Sequence, residues 1–240
     1  MSVFTFHLVK TSFKSSIFTL FFPPKVKKVP GLLHAECMVA MTLGSPLFSF
    51  ERLLIRKLVV FAQWENEVAI DDFLRQNRTG QLLAKGWHTR LAFLRQWGHI
   101  DEFVVPAENN SNDPKKPVVS VTLARMKMFQ VPRFIRWGRP VEKLVRDHPA
   151  TTLALAATRL PKTVSTFSIW KTQTEMVKMV HGKSKVSDPK RHADAMKERE
   201  RKDFHTQFTT LRFQPISEHG EWEGLKNIIP GLNTKASQFK

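Results

Sequence analysis

Two stretches decide the reading of this chain. Lys57-Leu-Val-Val-Phe-Ala-Gln-Trp64 runs into Glu65-Asn-Glu-Val-Ala-Ile-Asp-Asp-Phe-Leu74, and Val164-Ser-Thr-Phe-Ser-Ile-Trp170 runs into Lys171-Thr-Gln-Thr-Glu-Met-Val-Lys-Met-Val180. Each is a β-branched and aromatic run closed by Trp, then a polar corner, then apolar residues at helical spacing. A recurrence at about half the chain length marks two copies of one supersecondary unit, not a solenoid.

Working outward, the first copy reads as a strand from Val3 to Lys10, a helix from Ser16 to Lys28 broken by Pro23-Pro24, and a small-residue strand from Gly31 to Thr42. An excursion, Leu43 to Arg56, precedes the Trp64 strand. A helix follows through Leu74 and resumes from Thr79 to Leu83, and a strand runs from His88 to Leu94. The second copy reads as strand Val118 to Met126, helix Pro132 to Arg146, strands Thr151 to Arg159 and Val164 to Trp170, helices Thr174 to His181 and Asp188 to Phe204, and strand Thr206 to Pro215. Pro30 corresponds to Pro149, Trp64 to Trp170 and Gly98 to Gly220. The expected fold is α+β: two tandem ferredoxin-like (β-α-β-β-α-β) repeats, 1–105 and 118–240, joined by the polar linker 106–117 and packed as a pseudo-dimeric α/β barrel.

The 240 residues carry a net charge of +17, and 42% are hydrophobic, which fits a globular protein with a basic surface. Neither copy has the Lys/Arg-Gly-Phe/Tyr-Gly/Ala-Phe pattern of RNA-recognition strands, so no nucleic-acid partner is expected. The single cysteine, Cys37, excludes an internal disulfide framework and reads as a buried, inert thiol. With 19 Phe and no Tyr, no phenol can serve as general acid or radical relay. Lys10 and Lys14 interrupt the apolar start, and no window reaches the ~18 apolar residues of a membrane helix. The expected location is cytoplasmic, with the charge permitting peripheral contact with an anionic membrane. No HExxH, P-loop, nucleophile elbow or GxGxxG is present.

The residues that bear on chemistry lie in Ser187 to Phe204. Ser187 or Asp188 can cap this helix, and Pro189 suits its first turn. His192, Ala195 and Met196 share one face of an otherwise charged helix, and that narrow stripe is expected to turn His192 toward the sheet. A neutral imidazole among small apolar residues suits an iron ligand, although on spacing alone a packed boundary histidine is the commoner reading. Trp64 and Trp170 read as structural corners, with Trp170 also a candidate pocket wall. Arg191 and Arg199 can pair with carboxylates or simply face water. His181 before Gly182 reads as a helix C-terminus. His88, His99, His205 and His219 are expected near strand ends without acidic or thiol partners at metal-ligand spacing.

Thr166-Phe-Ser-Ile-Trp170, Arg191-His192-Ala193 with Arg199 downstream, Phe208-Thr-Thr-Leu-Arg-Phe213 and Gly220-Glu-Trp-Glu-Gly224 resemble the spheroidene monooxygenase family, carotenoid-oxidising haem proteins with a dimeric α/β-barrel fold. Thr122-Leu-Ala-Arg-Met-Lys127 with Arg133-Phe134, and Val29-Pro-Gly-Leu32, extend the resemblance over most of the chain. The chain departs from that family at Asp203-Phe204-His205 and in the longer, more basic Gly182 to Pro189. The resemblance implies haem b with His192 as axial ligand, Met196, Arg199 and Trp170 around it, dioxygen and an electron donor such as a ferredoxin, and a carotenoid or other long apolar substrate. The alternatives are a cofactor-free barrel of the antibiotic-biosynthesis monooxygenase kind and a small-molecule binding protein. Exposed helices and sheet edges leave a homodimer open.

Overall fold

The structure is a computed structural model that describes residues 2–44, 53–109 and 113–234. Eight antiparallel strands close into one barrel. They are β1 (Val3–Lys10), β2 (Leu32–Met41), β3 (Leu53–Trp64), β4 (Trp87–His99), β5 (Val118–Met126), β6 (Thr151–Arg159), β7 (Thr163–Trp170) and β8 (His205–His219). Around the barrel their order is β1-β3-β2-β6-β7-β5-β8-β4. Each half of the chain therefore contributes four strands in the order fourth, first, third, second. The halves meet at two seams, β2 with β6 and β4 with β8. Closure leaves no unpaired sheet edge among the described residues, so strand-edge dimerisation has no template.

The helices lie outside the barrel: α1 (Phe13–Phe21), α2 (Glu67–Gln76), α3 (Arg78–Leu83), α4 (Val131–Asp147), α5 (Gln173–Val180) and α6 (Arg191–Arg201). Side chains of Ser12, Asn66, Asn77 and Thr172 accept the free amides at the starts of α1, α2, α3 and α5. The first helix is shorter than the expected Ser16 to Lys28. Ser12 starts it earlier, and Pro23-Pro24 separates it from a single 3-10 turn, Val26–Lys28. The expected capping by Ser187 or Asp188 does not occur. Asp188 has φ 51°, Lys190 occupies the cap position without a side-chain bond, and α6 begins only at Arg191. Part of the excursion, 45–52, lies outside the described residues. No helix among the described residues is long and apolar enough to cross a membrane.

The barrel interior is packed with aromatic and aliphatic side chains drawn from every strand. Phe6 of the first half stacks on Phe167 of the second, with ring centroids 3.7 Å apart. These side chains form one continuous core cluster. Trp64 and Trp170 occupy equivalent corners: each is buried and tied by its indole N–H, to Thr5 Oγ1 and Ser168 Oγ respectively. Gly98 and Gly220 take φ of 74° and 73°, and a Cβ at either would lie 2.2 Å from a facing carbonyl oxygen.

Charged groups hold both barrel ends. At one, Glu218 is fully buried and accepts the Trp87 indole N–H (2.9 Å) and the amides of Ile228 (2.9 Å) and Ile229 (3.0 Å), drawing the C-terminal segment over the opening. At the other, Glu36 of β2 pairs with Arg125 of β5 and, at 3.1 Å, with Arg159 of β6, and His34 approaches to 3.1 Å. Burial by itself would raise the Glu36 pKa, but the His34 and Arg125 hydrogen bonds and the two arginine charges bring it down to about 2. The neighbouring Cys37 thiol is pushed up to about 12 by burial and is inert. Glu36→Gln should lower unfolding free energy by about 2 kcal/mol at pH 7, because part-buried Arg125 and the more exposed Arg159 lose a buried, charged hydrogen-bond partner. Since the folded-state pKa lies below the ordinary 4.5, this stabilisation is present above that pH and is lost as pH falls toward 2. Urea titrations at pH 7 and at acid pH should therefore show wild type and variant converging in acid.

Candidate functional site

The second half builds a cleft of about 780 Å³ between α4 and the segment leading into α6. Leu144, Ile135, Pro132 and Val186 supply apolar surface. Arg136, Arg139, Lys143 and Arg191 supply cations against two carboxylates, Asp147 and Asp188. Both carboxylates are engaged, Asp147 by Arg146 at 2.7 Å and Asp188 by Arg191 at 2.9 Å, so the cleft keeps a surplus of positive charge. Arg136, Arg139 and Lys143 recur at three- and four-residue intervals, which sets them along one side of α4. That spacing is the readable signal for this cleft, and the sequence reading passed over it. Pro140, inside α4, leaves the Arg136 carbonyl without its helical donor.

His148 belongs to the floor. Its Nδ1 accepts the Ala150 amide and its Nε2–H donates to Ser184 Oγ, both at 3.1 Å. Burial lowers its pKa. With both nitrogens committed it cannot ligate a metal. Trp170 lies one layer behind, its ring 5.0 Å from that of His148 and packed in the same apolar cluster as Leu144, Met176 and Met179. Trp170 supports the floor without lining the cleft.

The structure corrects the expectation that α6 turns His192 toward the sheet. This helix buries no residue fully and packs on α4 and α5. It carries too many charges to be drawn under the barrel wall. His192 is half-buried between α6 and the end of α5, its Nδ1–H donating to the Val180 carbonyl at 3.2 Å. A carbonyl only accepts, so the proton resides on Nδ1 and Nε2 carries the lone pair. Burial lowers the His192 pKa, which keeps the imidazole neutral near pH 7. Met196 is half-buried on the same helix. Arg199 is elsewhere, stacked 3.8 Å over Phe208 and 3.7 Å from Asp203. The predicted set His192, Met196, Arg199 and Trp170 is thus distributed over two packing regions, and none of the four lines the cleft.

The sequence reading left His205 without an acidic partner, and the structure supplies one. Asp203 Oδ1 lies 3.0 Å from His205 Nδ1 and from the His205 amide. The two-residue spacing puts both on one side of an extended segment, a pattern visible in the sequence but not at metal-ligand spacing. His205 is buried among Phe134, Phe204 and Phe208 with Nε2 unpartnered. Burial, offset only in part by Asp203, brings its pKa down to about 4. His99 likewise lies 3.3 Å from Asp101, though exposed. His181 caps α5 as expected, with Gly182 at φ 68°.

Three more histidines form a buried row on the outer face across the β4–β8 seam. His7, His88 and His219 are cross-strand neighbours on β1, β4 and β8, with ring centroids 4.9 and 4.6 Å apart. Both ring nitrogens of His7 and of His88 lack hydrogen-bond partners. Burial, with Arg90 and neighbouring imidazoles adding to it, lowers the His7 pKa to about 3 and that of His88 well below 6.5. Stacked rings point their lone pairs side by side, not toward one centre. Among the described residues no cluster of three or more His, Cys, Asp or Glu is arranged to hold a metal. Arg90, beside the row, is bound to Glu67 and Asp71 of α2.

No protein-family model matches the chain, and no curated protein matches it in sequence. Solved structures do match the fold. Aldoxime dehydratase OxdRE, in complex with butyraldoxime, aligns at 7% identity with a TM-score of 0.51, over 90% of this chain and 79% of that one. A monooxygenase-like protein from Listeria innocua aligns at 10% identity and TM-score 0.29, over 90% and 96%. A ferredoxin-fold protein from Listeria monocytogenes, related to antibiotic biosynthesis monooxygenases, aligns at 9% and 0.29, over 90% and 97%. At these identities the likeness speaks for the fold alone.

Long-range proton–nitrogen NMR spectra at pH 7 should show His192 and His205 as neutral imidazoles protonated at Nδ1, and Asp203→Asn should alter the His205 pattern alone. The histidine row should govern acid sensitivity. The folded-state pKa values of His7 and His88 are depressed, so the unfolded chain takes up protons first, and stability present above pH 6.5 is lost as pH falls toward 3. His88→Phe should keep the ring stack, remove one such group, and raise the urea midpoint more at pH 5 than at pH 7.5.

Proposed function

We propose that this chain is an oxidoreductase of the monooxygenase type, built from two tandem ferredoxin-like repeats, 1–105 and 118–240, with its ligand site in the second. The observation that carries this reading is the apolar-floored, cationic cleft between α4 and the segment entering α6, whose last lining residue, Arg191, precedes a histidine held through Nδ1 by the Val180 carbonyl. A volume of about 780 Å³ with a few convergent polar groups matches the general form of small-molecule sites.

Haem b fits the donor chemistry present. His192 is neutral, and its other nitrogen is anchored by a carbonyl, the usual arrangement for a ligating imidazole. Arg191, Arg139 and Arg136 would pair with the propionates, as guanidinium groups do with carboxylates. When bound, haem supplies the one-electron and dioxygen chemistry that these side chains lack. The chain's own part is to orient the anionic edge through the α4 cations, to exclude water with Ile135, Leu144 and Val186, and to hold the His192 proton on Nδ1. Dioxygen, a reduced carrier such as a ferredoxin, and a carotenoid or other long apolar substrate complete the proposed reaction.

A second reading is favoured by one fact: His192 does not line the cleft. The same cleft then takes an amphipathic anion with no iron, and the chain is a cofactor-free barrel enzyme or binding protein. An absorption spectrum of the purified protein, before and after adding haemin, separates the two. The haem reading expects a Soret band that His192→Ala abolishes while circular dichroism stays unchanged. Haemin binding by neither form would leave the cofactor-free reading.

A further inference from the structure

Helix α1 is amphipathic the wrong way round for a core helix. Its buried residues are Ser16 and Thr19, packed over β3 and β2, while Phe13, Phe18 and Phe21 are each more than half exposed. The apolar surface continues beyond the helix through Phe22 and Val26, 62% and 52% exposed. Phe18 and Phe22 pack on each other, ring centroids 5.1 Å apart, and the Arg78 guanidinium lies 6.0 Å from the Phe18 ring. Interleaved with these rings are Lys14, Lys25, Lys27 and Lys28, all exposed, and between Ser2 and Ala35 there is no Asp or Glu. Single exposed apolar residues are ordinary, but a contiguous phenylalanine patch rimmed by lysines is a built surface.

We propose that α1 and the Phe22–Lys28 turn dock the protein on an anionic lipid surface, the phenylalanines entering the acyl boundary and the lysines meeting phosphate headgroups. Charge decides between occupants. A second copy meeting this face about a two-fold axis would oppose the four lysines with themselves, and the segment has no carboxylate to neutralise them. An anionic bilayer supplies both the apolar depth and the opposite charge. The inference is independent of any redox group, since it rests on the first half of the chain.

The test is co-sedimentation of the full chain with vesicles of phosphatidylcholine alone and of phosphatidylcholine mixed with phosphatidylglycerol. Binding is expected only to the mixed vesicles and should weaken as salt is raised. Each lysine near such a surface contributes about fivefold in partitioning, so Lys25→Gln/Lys27→Gln/Lys28→Gln should reduce it by about two orders of magnitude. Phe18→Ser/Phe21→Ser/Phe22→Ser should abolish it. All six side chains are exposed, so both variants should keep the wild-type thermal midpoint. The proposal is overturned if the mixed vesicles do not bind, or if either triple variant binds as well as wild type. It is also overturned if gel filtration shows a dimer that the phenylalanine variant dissociates, or if polyglutamate is retained in a way that needs the same phenylalanines.

Discussion

The pairing of Glu36 with Arg125 and Arg159 is the constraint on which closure of the barrel rests. The seam between β4 and β8 is long, paired from His88–His219 to His99–Phe208 with register shifts after Arg90 and after Phe93. The seam between β2 and β6 registers over Val39 to Met41 only. Glu36 extends that short seam with charge where backbone pairing has ended, reaching two strands of the other half from inside the barrel. A buried carboxylate is costly alone. Glu36 is tolerable with Arg125 and Arg159 beside it, which makes correct closure a condition for burying it.

A barrel filled by its own phenylalanines has consequences for where chemistry can occur. The described clefts lie on the outer faces, between sheet and helices, and there the halves differ in lining. The first half covers its outer face with Trp64 and the apolar faces of α2 and α3, and its cleft of about 670 Å³ beside α2 sets Glu65 and Asp72 against Lys28. In the second, α4 stands away from the segment entering α6 and leaves a cleft lined by arginine and lysine. The Asp203–His205 pair and the Val180-anchored His192 belong to that same half, so its polar side chains are already fixed in tautomer and charge.

Much of the strand framework was legible because alternation and Trp corners report directly on a half-buried strand. Val3–Lys10, Val118–Met126 and Thr151–Arg159 have the limits that their residue patterns indicate. The strand beginning near His88 ran longer than its hydrophobic pattern, since pairing with β8 carries Arg95 to His99 where burial does not. Helix α6 departs from its pattern for the converse reason. Its weak apolar stripe is too narrow to steer the helix to the sheet, and its charges keep it on top of α4 and α5. The cleft was not legible as a cleft, because separation between α4 and residues 186–188 is a property of two segments and not of either pattern alone. The inverted face of α1 was written plainly in Phe13-Lys-Ser-Ser-Ile-Phe-Thr-Leu-Phe21, but which side faces the barrel becomes known only once the sheet is in place.

The two seams also set the order in which the chain must assemble. Each joins residues more than a hundred positions apart, as Trp87 and Glu218 are. Contacts of that separation form late, since loop closure has to be met before they return anything. During synthesis the first half emerges with β2 and β4 as bare edges, both rich in apolar residues, and neither can be capped until β6 and β8 have left the ribosome. The interval between those two events is when this protein is most exposed to aggregation, and its length is fixed by topology, not by the stability of the finished barrel.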